Sequence, residues 1–192
     1  EMPKLMWLKR NLPERWKKTG YVFDLADFMS WRATGSLARS RCTLTAKWNY
    51  LAHETEGWNT GFLKEIGLDD LLERGSLPKE TAAVGQSVGT LTAAAAMELG
   101  LDEECRVATG LIDAYAGAIG VLGGFAGDTG TLERRLALIA GTSSCIVAFS
   151  PEMKPGFGLW GPYFEAGFAG AWLVEGGQSA TGALLDHVVR SH

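Results

Sequence analysis

The stretch that decides the fold class lies at residues 136–149 and reads LALIAGTSSCIVAF. Two apolar runs, residues 136–140 and 145–149, flank a short segment of small and hydroxyl-bearing residues. Apolar runs of this length joined by a Gly- and Ser-rich segment are typical of two paired strands. The sequence therefore predicts a β-hairpin with a small, hydroxyl-rich tip.

The tip of this hairpin is also a candidate phosphate site. Gly141, Thr142, Ser143 and Ser144 offer backbone N–H groups and three hydroxyls without bulky side chains, a combination that suits phosphate oxygens. Ordinary hairpin turns use the same residue types, so a purely structural role stays open. Neither a Walker-type glycine loop nor a protein-kinase glycine loop occurs in the sequence.

Upstream of the hairpin, helix signals recur with clear ends. Asp24 is placed to cap a helix at residues 25–34, with Gly35 just beyond it, and Thr92 caps a helix that Gly100 closes. These residues lie around apolar and alanine-rich segments with helical spacing. They predict two well-bounded helices.

Other segments are less sharply defined. Residues 36–46 show no periodicity and predict irregular structure, whereas residues 106–112 read as a buried strand that leads into a helix at 114–124. A further helix is expected from residue 177 onward. Strands and helices alternate, so we expect an α/β protein of two parts that meet at the Gly-rich connector 127–130.

Asp113 is the candidate catalytic residue. It follows the predicted strand and precedes small residues that leave space for a ligand. Partial desolvation would raise the pKa of its carboxyl and make it a better proton acceptor for a hydroxyl group. A role as a cap of the following helix is equally compatible with the spacing.

Lys47 and Glu175 are candidate ligand-binding residues. Each is a single charge among apolar or small neighbours. Such charges seldom stay buried unless they are paired or bound to something polar, so a polyhydroxyl ligand is a reasonable partner. Each residue, taken alone, also fits a surface charge on a loop.

The composition narrows the classes of protein. A net charge of -4 over 192 residues supplies no broad positive field, which argues against nucleic-acid and anionic-membrane partners. Three scattered cysteines show no metal-ligand spacing and indicate a reducing, cytoplasmic environment. Asp113 interrupts the most apolar stretch, so we expect no membrane span. The chain begins at Glu1 and reads as an internal piece of a longer polypeptide.

Eight segments in order, distributed over nearly all of the chain, form a recognisable set of motifs. They are PKLMWLKRN at 3–11, FDLADF at 23–28, WRATG at 31–35, RCTLTAKW at 41–48, LIDAYAG at 111–117, GTSS at 141–144, WGP at 160–162 and EGGQSATG at 175–182. Together they resemble signatures of the FGGY carbohydrate kinases, in particular the ribulokinase-like branch that acts on pentuloses.

The resemblance implies a fold and an activity. We expect an α/β, actin-like ATPase (ribonuclease H-like) sugar kinase of two domains, present here in part. Residues 1–126 would belong to the N-terminal FGGY domain and residues 131–192 would begin the C-terminal one. The expected reaction is transfer of the γ-phosphate of ATP to the terminal hydroxyl of a ketopentose, D-ribulose, with Mg²⁺ and with a homodimer as the expected assembly.

The resemblance also assigns roles to residues. Asp113 would be the general base and a Mg²⁺ ligand, Lys47, Asp113 and Glu175 would bind the sugar, and Gly141, Thr142 and Ser143 would bind the ATP phosphates. The family's first phosphate motif, an Asp-x-Gly-Thr hairpin near the N-terminus, and its adenosine-binding segment lie outside this sequence, so we expect the 192-residue chain alone to be inactive. Open alternatives are a silent sugar- or ATP-binding relative and a kinase for L-ribulose or D-xylulose.

Overall fold

A computed structural model describes residues 1–191 of the chain. The chain divides into two compact units, the first running from Glu1 to Leu111 and the second beginning at Ile112. Each unit has its own sheet and its own buried apolar residues. No helix within the described part combines the length and the apolar character needed to cross a bilayer.

The first unit is mainly helical, with one small antiparallel sheet. Asp24 caps its third helix, accepting a hydrogen bond from the first turn at 3.4 Å, and Gly35 ends that helix with φ 74°. Thr92 and Gly100 bound the seventh helix in the same way, so both predicted helices are confirmed. The elements are α1 Met2–Asn11, α2 Pro13–Lys17, α3 Leu25–Thr34, α4 Arg41–Lys47, α5 Thr60–Glu65, α6 Leu71–Arg74, β1 Ser87–Thr90, α7 Ala93–Leu99 and β2 Arg106–Ala108.

Helix α4 lies in the apolar core of the first unit. Its Leu44 is fully buried with Leu68 and Leu71, and Trp48, the residue after the helix, packs in the same cluster. The prediction of irregular structure at residues 36–46 is therefore wrong for residues 41–46. Burial of one large apolar side chain stabilises by about 1.5–3 kcal/mol, which outweighs the weak helix propensity of this threonine-containing segment.

The second unit is a four-stranded antiparallel sheet with helices beside it. Its strands lie in the order β3, β4, β6, β5, and β3 and β4 form the hairpin that the sequence predicts. Helix α8 contacts β3 and β4. The elements are α8 Asp113–Leu122, α9 Thr129–Leu132, β3 Leu136–Ala140, β4 Ser144–Ser150, β5 Trp160–Phe164, β6 Trp172–Gln178 and α10 Thr181–Ser191, with a 3-10 turn at Gly123–Phe125.

One face of this sheet carries Ile139, Cys145 and Glu175, which lie at the candidate functional site. Cross-strand partners share a face, and the register pairs Ile139 with Cys145 and Cys145 with Gly177. Side chains two positions along a strand share that face too, which adds Glu175. Helix α8 approaches this face closely, because a Cβ on Gly117 would lie 3.0 Å from Ile139.

Two further expectations differ from the structure. The strand predicted at residues 106–112 spans only Arg106–Ala108 and is not buried. The helix predicted from residue 177 begins at Thr181, because residues 177 and 178 complete β6. In both places the pairing of distant strands, which local periodicity does not report, decides the boundary.

Candidate functional site

Asp113 is the first residue of helix α8, with Ile112 as the N-cap. Its Oδ1 accepts a hydrogen bond from the Ala114 N–H at 2.8 Å. A carboxylate in the first helical turn is favoured by the helix dipole. Asp113 is exposed, so the expectation of a partly desolvated carboxyl at the end of a buried strand is wrong. The preceding strand already ends at Ala108, and Asp113 begins a helix instead of ending a strand.

Tyr115 points the opposite way from Asp113. Residues two positions apart lie about 200° apart around an α-helix, which is consistent with an exposed Asp113 and a buried Tyr115. Tyr115 is only 2% exposed, and its hydroxyl donates a hydrogen bond to Glu175 Oε2 at 2.8 Å. Helix α8 is thereby tied to strand β6 by a charge-assisted hydrogen bond.

Glu175 forms the centre of a group of polar side chains on the second unit. The neighbouring Glu175 carboxylate, burial and the negative charge of Asp113 raise the pKa of the Cys145 thiol to about 11. Burial and the Glu175 charge also raise the pKa of Tyr163. The structure therefore brings Asp113, Tyr115, Cys145, Tyr163 and Glu175 into one electrostatic neighbourhood.

The hairpin tip is exposed at Gly141, Thr142 and Ser143. Gly141 donates its N–H to the Ser143 carbonyl at 2.8 Å, which closes the turn. Within the described residues, the N–H groups of Thr142 and Ser143 make no hydrogen bond in the chain. Two free N–H groups at an exposed turn are the arrangement that an anionic oxygen needs.

The start of helix α10 lies directly against this tip. Gly182 donates its N–H to the Gly141 carbonyl at 3.2 Å, and Ala183 donates to the Thr142 carbonyl at 3.3 Å. A Cβ on Gly182 would lie 2.3 Å from the Gly141 oxygen. The hairpin tip is thus held by a backbone contact that only glycine at position 182 allows.

Lys47 lies in the first unit, as the last residue of helix α4. Its Nζ is 3.7 Å from Asp24 Oδ2, and its side chain is 40% exposed. Asp24 also accepts a long hydrogen bond, 3.4 Å, from the Trp48 indole N–H. Lys47 therefore has a carboxylate partner within its own unit and keeps part of its side chain open to solvent.

Family models match both parts of the chain. The N-terminal domain of the FGGY family of carbohydrate kinases matches residues 1–120, and the C-terminal domain of that family matches residues 136–192. The chain belongs to the FGGY family of carbohydrate kinases. The predicted family is confirmed.

Curated relatives agree with this assignment. The FGGY chain is 52% identical over 200 residues to a zebrafish (Danio rerio) protein named FGGY carbohydrate kinase domain-containing protein, covering 99% of this chain and 36% of that protein. It is 37% identical over 218 residues to a D-ribulokinase of Saccharomyces cerevisiae, covering 100% of this chain and 30% of that protein. The chain spans about a third of the length of these relatives.

Solved structures show the fold. A ligand-bound xylulose kinase from Lactobacillus acidophilus matches with a TM-score of 0.74 at 22% identity, covering 96% of this chain and 35% of that one. A gluconate kinase from Lactobacillus acidophilus matches with a TM-score of 0.73 at 20% identity, with the same coverage of both chains. The predicted α/β, actin-like ATPase (ribonuclease H-like) fold, present in part, is confirmed.

One segment of the FGGY chain has the residue pattern of the family's first phosphate motif but does not form a hairpin. Residues 128–131 read Asp-x-Gly-Thr. They lead into the short helix α9, where Asp128 accepts hydrogen bonds from the Thr131 N–H at 3.1 Å and hydroxyl at 2.6 Å. This Asp128 is a helix-start residue of the connector and offers no phosphate-binding hairpin.

Sequence reasoning missed two members of the polar cluster, Tyr115 and Cys145. In the sequence, Tyr115 stands out only as part of a family signature, and Cys145 only as one of three scattered thiols. Their common partner Glu175 lies on β6, a strand that the sequence did not reveal. The usable signal was the position of Cys145 at the start of a predicted strand, beside the hairpin tip.

Sequence reasoning also missed Asp27, on helix α3. Its carboxylate is 2% exposed and accepts hydrogen bonds from the Ser40 N–H at 2.7 Å and the Thr43 hydroxyl at 2.9 Å. Burial raises the pKa of Asp27 despite these two donors. Asp27 thereby fixes the start of helix α4, the helix that ends at Lys47.

Proposed function

We propose that the FGGY chain is part of an ATP-dependent carbohydrate kinase that transfers the γ-phosphate of ATP to the terminal hydroxyl of a ketopentose, D-ribulose. The observation that carries the proposal is geometric: β4, which begins at the exposed hairpin tip, pairs with the strand that carries Glu175, and the exposed Asp113 begins the helix that contacts β3 and β4. The 37% identity to a yeast D-ribulokinase along the whole chain supports ribulose as the sugar.

Asp113 would act as the general base. Its exposed carboxylate would accept the proton of the terminal sugar hydroxyl while that oxygen forms a bond to the γ-phosphorus. The bond between the γ-phosphorus and the bridging oxygen would break, and ADP would leave with the electron pair. The free N–H groups of Thr142 and Ser143 would stabilise charge on the phosphoryl oxygens.

Glu175 and Lys47 would bind the sugar. A carboxylate accepts hydrogen bonds from sugar hydroxyls, and an ammonium group donates to them. Glu175 is only partly exposed, and Lys47 is 40% exposed beside Asp24. Both charges are therefore restrained by partners and still open to a ligand.

Mg²⁺ fits this set of residues as a partner of ATP. The described residues contain no group of three or more His, Cys, Asp or Glu side chains placed to hold a metal. Magnesium in kinases is commonly held by one or two carboxylates together with substrate phosphates. Asp113 would supply one such carboxylate, and the ion would neutralise phosphate charge.

We further propose the domain organisation that the sequence indicates. Residues 1–126 would form part of the N-terminal FGGY domain, and residues 131–192 the start of the C-terminal one. The two matched segments, 1–120 and 136–192, support a family-domain boundary in this connector, whereas the compact units of the fold divide earlier, between Leu111 and Ile112. A cytoplasmic homodimer remains our prediction for the whole protein.

A coupled ADP-release assay on the full-length protein tests the proposal. The sugars are D-ribulose, L-ribulose, D-xylulose and glycerol, and we expect the highest kcat/KM with D-ribulose. Loss of a general base lowers kcat by about 10²–10⁴-fold, so Asp113→Asn should do so at an unchanged melting temperature. Equal activities of wild type and Asp113→Asn would show that Asp113 is not the base.

The same assay separates the main alternative, a catalytically silent sugar-binding protein. Such a protein would release no ADP with any sugar, yet sugar would still stabilise it. A ligand at a hundredfold excess over its Kd adds roughly 2.7 kcal/mol to the free energy of unfolding, which a thermal melt detects.

A further inference from the structure

We infer that Tyr115 is a positioning residue for the sugar: its hydroxyl holds the Glu175 carboxylate in the orientation that receives a sugar hydroxyl. The inference rests on the proposed function, since it assigns Tyr115 a task within that site. Tyr115 itself would not touch the sugar, because its side chain is 2% exposed.

The first support is the geometry of the hydrogen bond. The 2.8 Å distance from the Tyr115 hydroxyl to Glu175 Oε2 is the usual length of a well-formed O–H···O hydrogen bond. Glutamate has several rotatable bonds, and ordering a free side chain on ligand binding has an entropic cost. A tyrosine ring has two rotatable bonds and is packed here, so it can fix the carboxylate in advance.

The second support is the close packing of helix α8 against the sheet. Gly117 lets the helix approach Ile139 so closely that a Cβ would lie 3.0 Å from it. Tyr115 lies half a turn earlier on the same helix and reaches across to β6. The hydroxyl is therefore presented from a rigid element, which is what accurate positioning requires.

A purely structural role for Tyr115 makes a different prediction. Loss of a buried hydrogen bond lowers the melting temperature wherever it occurs. Tyr50 is a matched case, because it is 8% exposed and its hydroxyl donates to the Lys79 carbonyl at 2.9 Å. A structural role predicts the same behaviour for the two Tyr→Phe variants, whereas positioning predicts a change in sugar binding for one of them.

The experiment measures KM for D-ribulose, KM for ATP and melting temperature in the full-length enzyme. We expect Tyr115→Phe to raise the sugar KM about tenfold, as expected for a lost hydrogen bond to a charged group, with the KM for ATP unchanged. Tyr50→Phe should lower the melting temperature without moving either KM. A double-mutant cycle adds Glu175→Gln, and in that background Tyr115→Phe should have little further effect on the sugar KM.

Three outcomes decide the matter. An unchanged sugar KM in a folded Tyr115→Phe enzyme, or additive effects in the cycle, overturns the inference and leaves the proposed function standing. A wild-type enzyme that is inactive on all sugars of the panel overturns the proposed function and the inference together. If Tyr115→Phe fails to fold, the sugar KM of the Glu175→Gln enzyme decides. An unchanged KM in that variant overturns the inference, because Tyr115 acts through the Glu175 carboxylate.

Discussion

Cys145 on strand β4 and Glu175 on strand β6 present their side chains on the same face of the sheet, since Cys145 pairs with Gly177, two positions beyond Glu175. The carboxylate stabilises the protonated thiol and is the first cause of the raised thiol pKa. The reactivity of Cys145 therefore reports on the state of Glu175.

We predict that Glu175→Gln makes Cys145 more reactive toward an alkylating reagent. The substitution removes the negative charge, so the pKa of the thiol should fall from about 11 toward its ordinary 9.0. Only the thiolate reacts, so the alkylation rate at pH 8 should rise at least about tenfold. The measurement is the alkylation rate of Cys145 by mass spectrometry across pH 7–10.

Cys105 supplies the internal control for this rate. It is exposed and lies in the first unit, so its alkylation rate should be the same in wild type and Glu175→Gln. Equal Cys145 rates in the two proteins would contradict the effect of Glu175 on the pKa of the thiol.

The sequence was sufficient for the elements that local chemistry fixes. Asp24 and Gly35 bound α3, and the run at 136–149 forms its hairpin, because caps, left-handed glycines and short turns act over a few residues. Family signatures then located Asp113 and Glu175 along the chain. The sequence did not predict the surroundings of these two residues in the fold.

What the sequence did not reveal depends on contacts between distant segments. Glu175, Gly176 and Gly177 do not look like a strand, yet pairing with β4 makes them one. Without that pairing, the contact of Tyr115 with Glu175 could not be inferred. Helix α4 was missed for a related reason, because buried Leu44 and the Asp27 carboxylate hold it in place.

We predict that Gly182→Ala destabilises the second unit and weakens ATP binding. The new Cβ would lie 2.3 Å from the Gly141 carbonyl oxygen, so the hairpin tip must move away from α10. Overpacking of this kind costs about 1–3 kcal/mol. We expect a lower melting temperature and a higher KM for ATP, with the sugar KM unchanged, in the full-length enzyme.

Gly120→Ala is the matched control for this glycine. Gly120 lies in helix α8, is exposed, and has no atom within 4 Å of an added Cβ. Alanine there should stabilise by about 0.5–1 kcal/mol, because glycine costs backbone entropy in a helix. If Gly182→Ala were as stable as Gly120→Ala, the backbone contact between the tip and α10 would be refuted.

We predict that Asp70→Asn lowers stability at neutral pH and that its effect fades in acid. Desolvation alone would raise the pKa of Asp70, but hydrogen bonds from Lys9, Trp16 and Arg74 outweigh it and lower the pKa to about 2. A depressed carboxyl pKa stabilises above the unfolded value of 3.8, and this is lost as pH falls toward about 2. After solvent screening, the contribution is about 1–2 kcal/mol.

Thermal melts of both proteins between pH 2 and pH 7 check this prediction. The difference in melting temperature should be constant above about pH 4, near the unfolded pKa, and shrink below it. Asp69→Asn is the control, because Asp69 meets Lys9 at 3.3 Å with a side chain 65% exposed, and such surface pairs contribute little. A difference that grows as the pH falls would contradict the assignment.

We predict that the 192-residue chain alone does not turn over ATP. Phosphoryl transfer depends on holding both substrates in line. Within the described residues the chain has one hairpin that we propose to bind phosphate, at 141–143, while its Asp-x-Gly-Thr segment leads into helix α9. The measurement is sugar-dependent ADP release by this chain with D-ribulose, with the full-length protein as the positive control. The rate should equal that of the Asp113→Asn chain, and a clear excess over that variant would show that these residues suffice for catalysis.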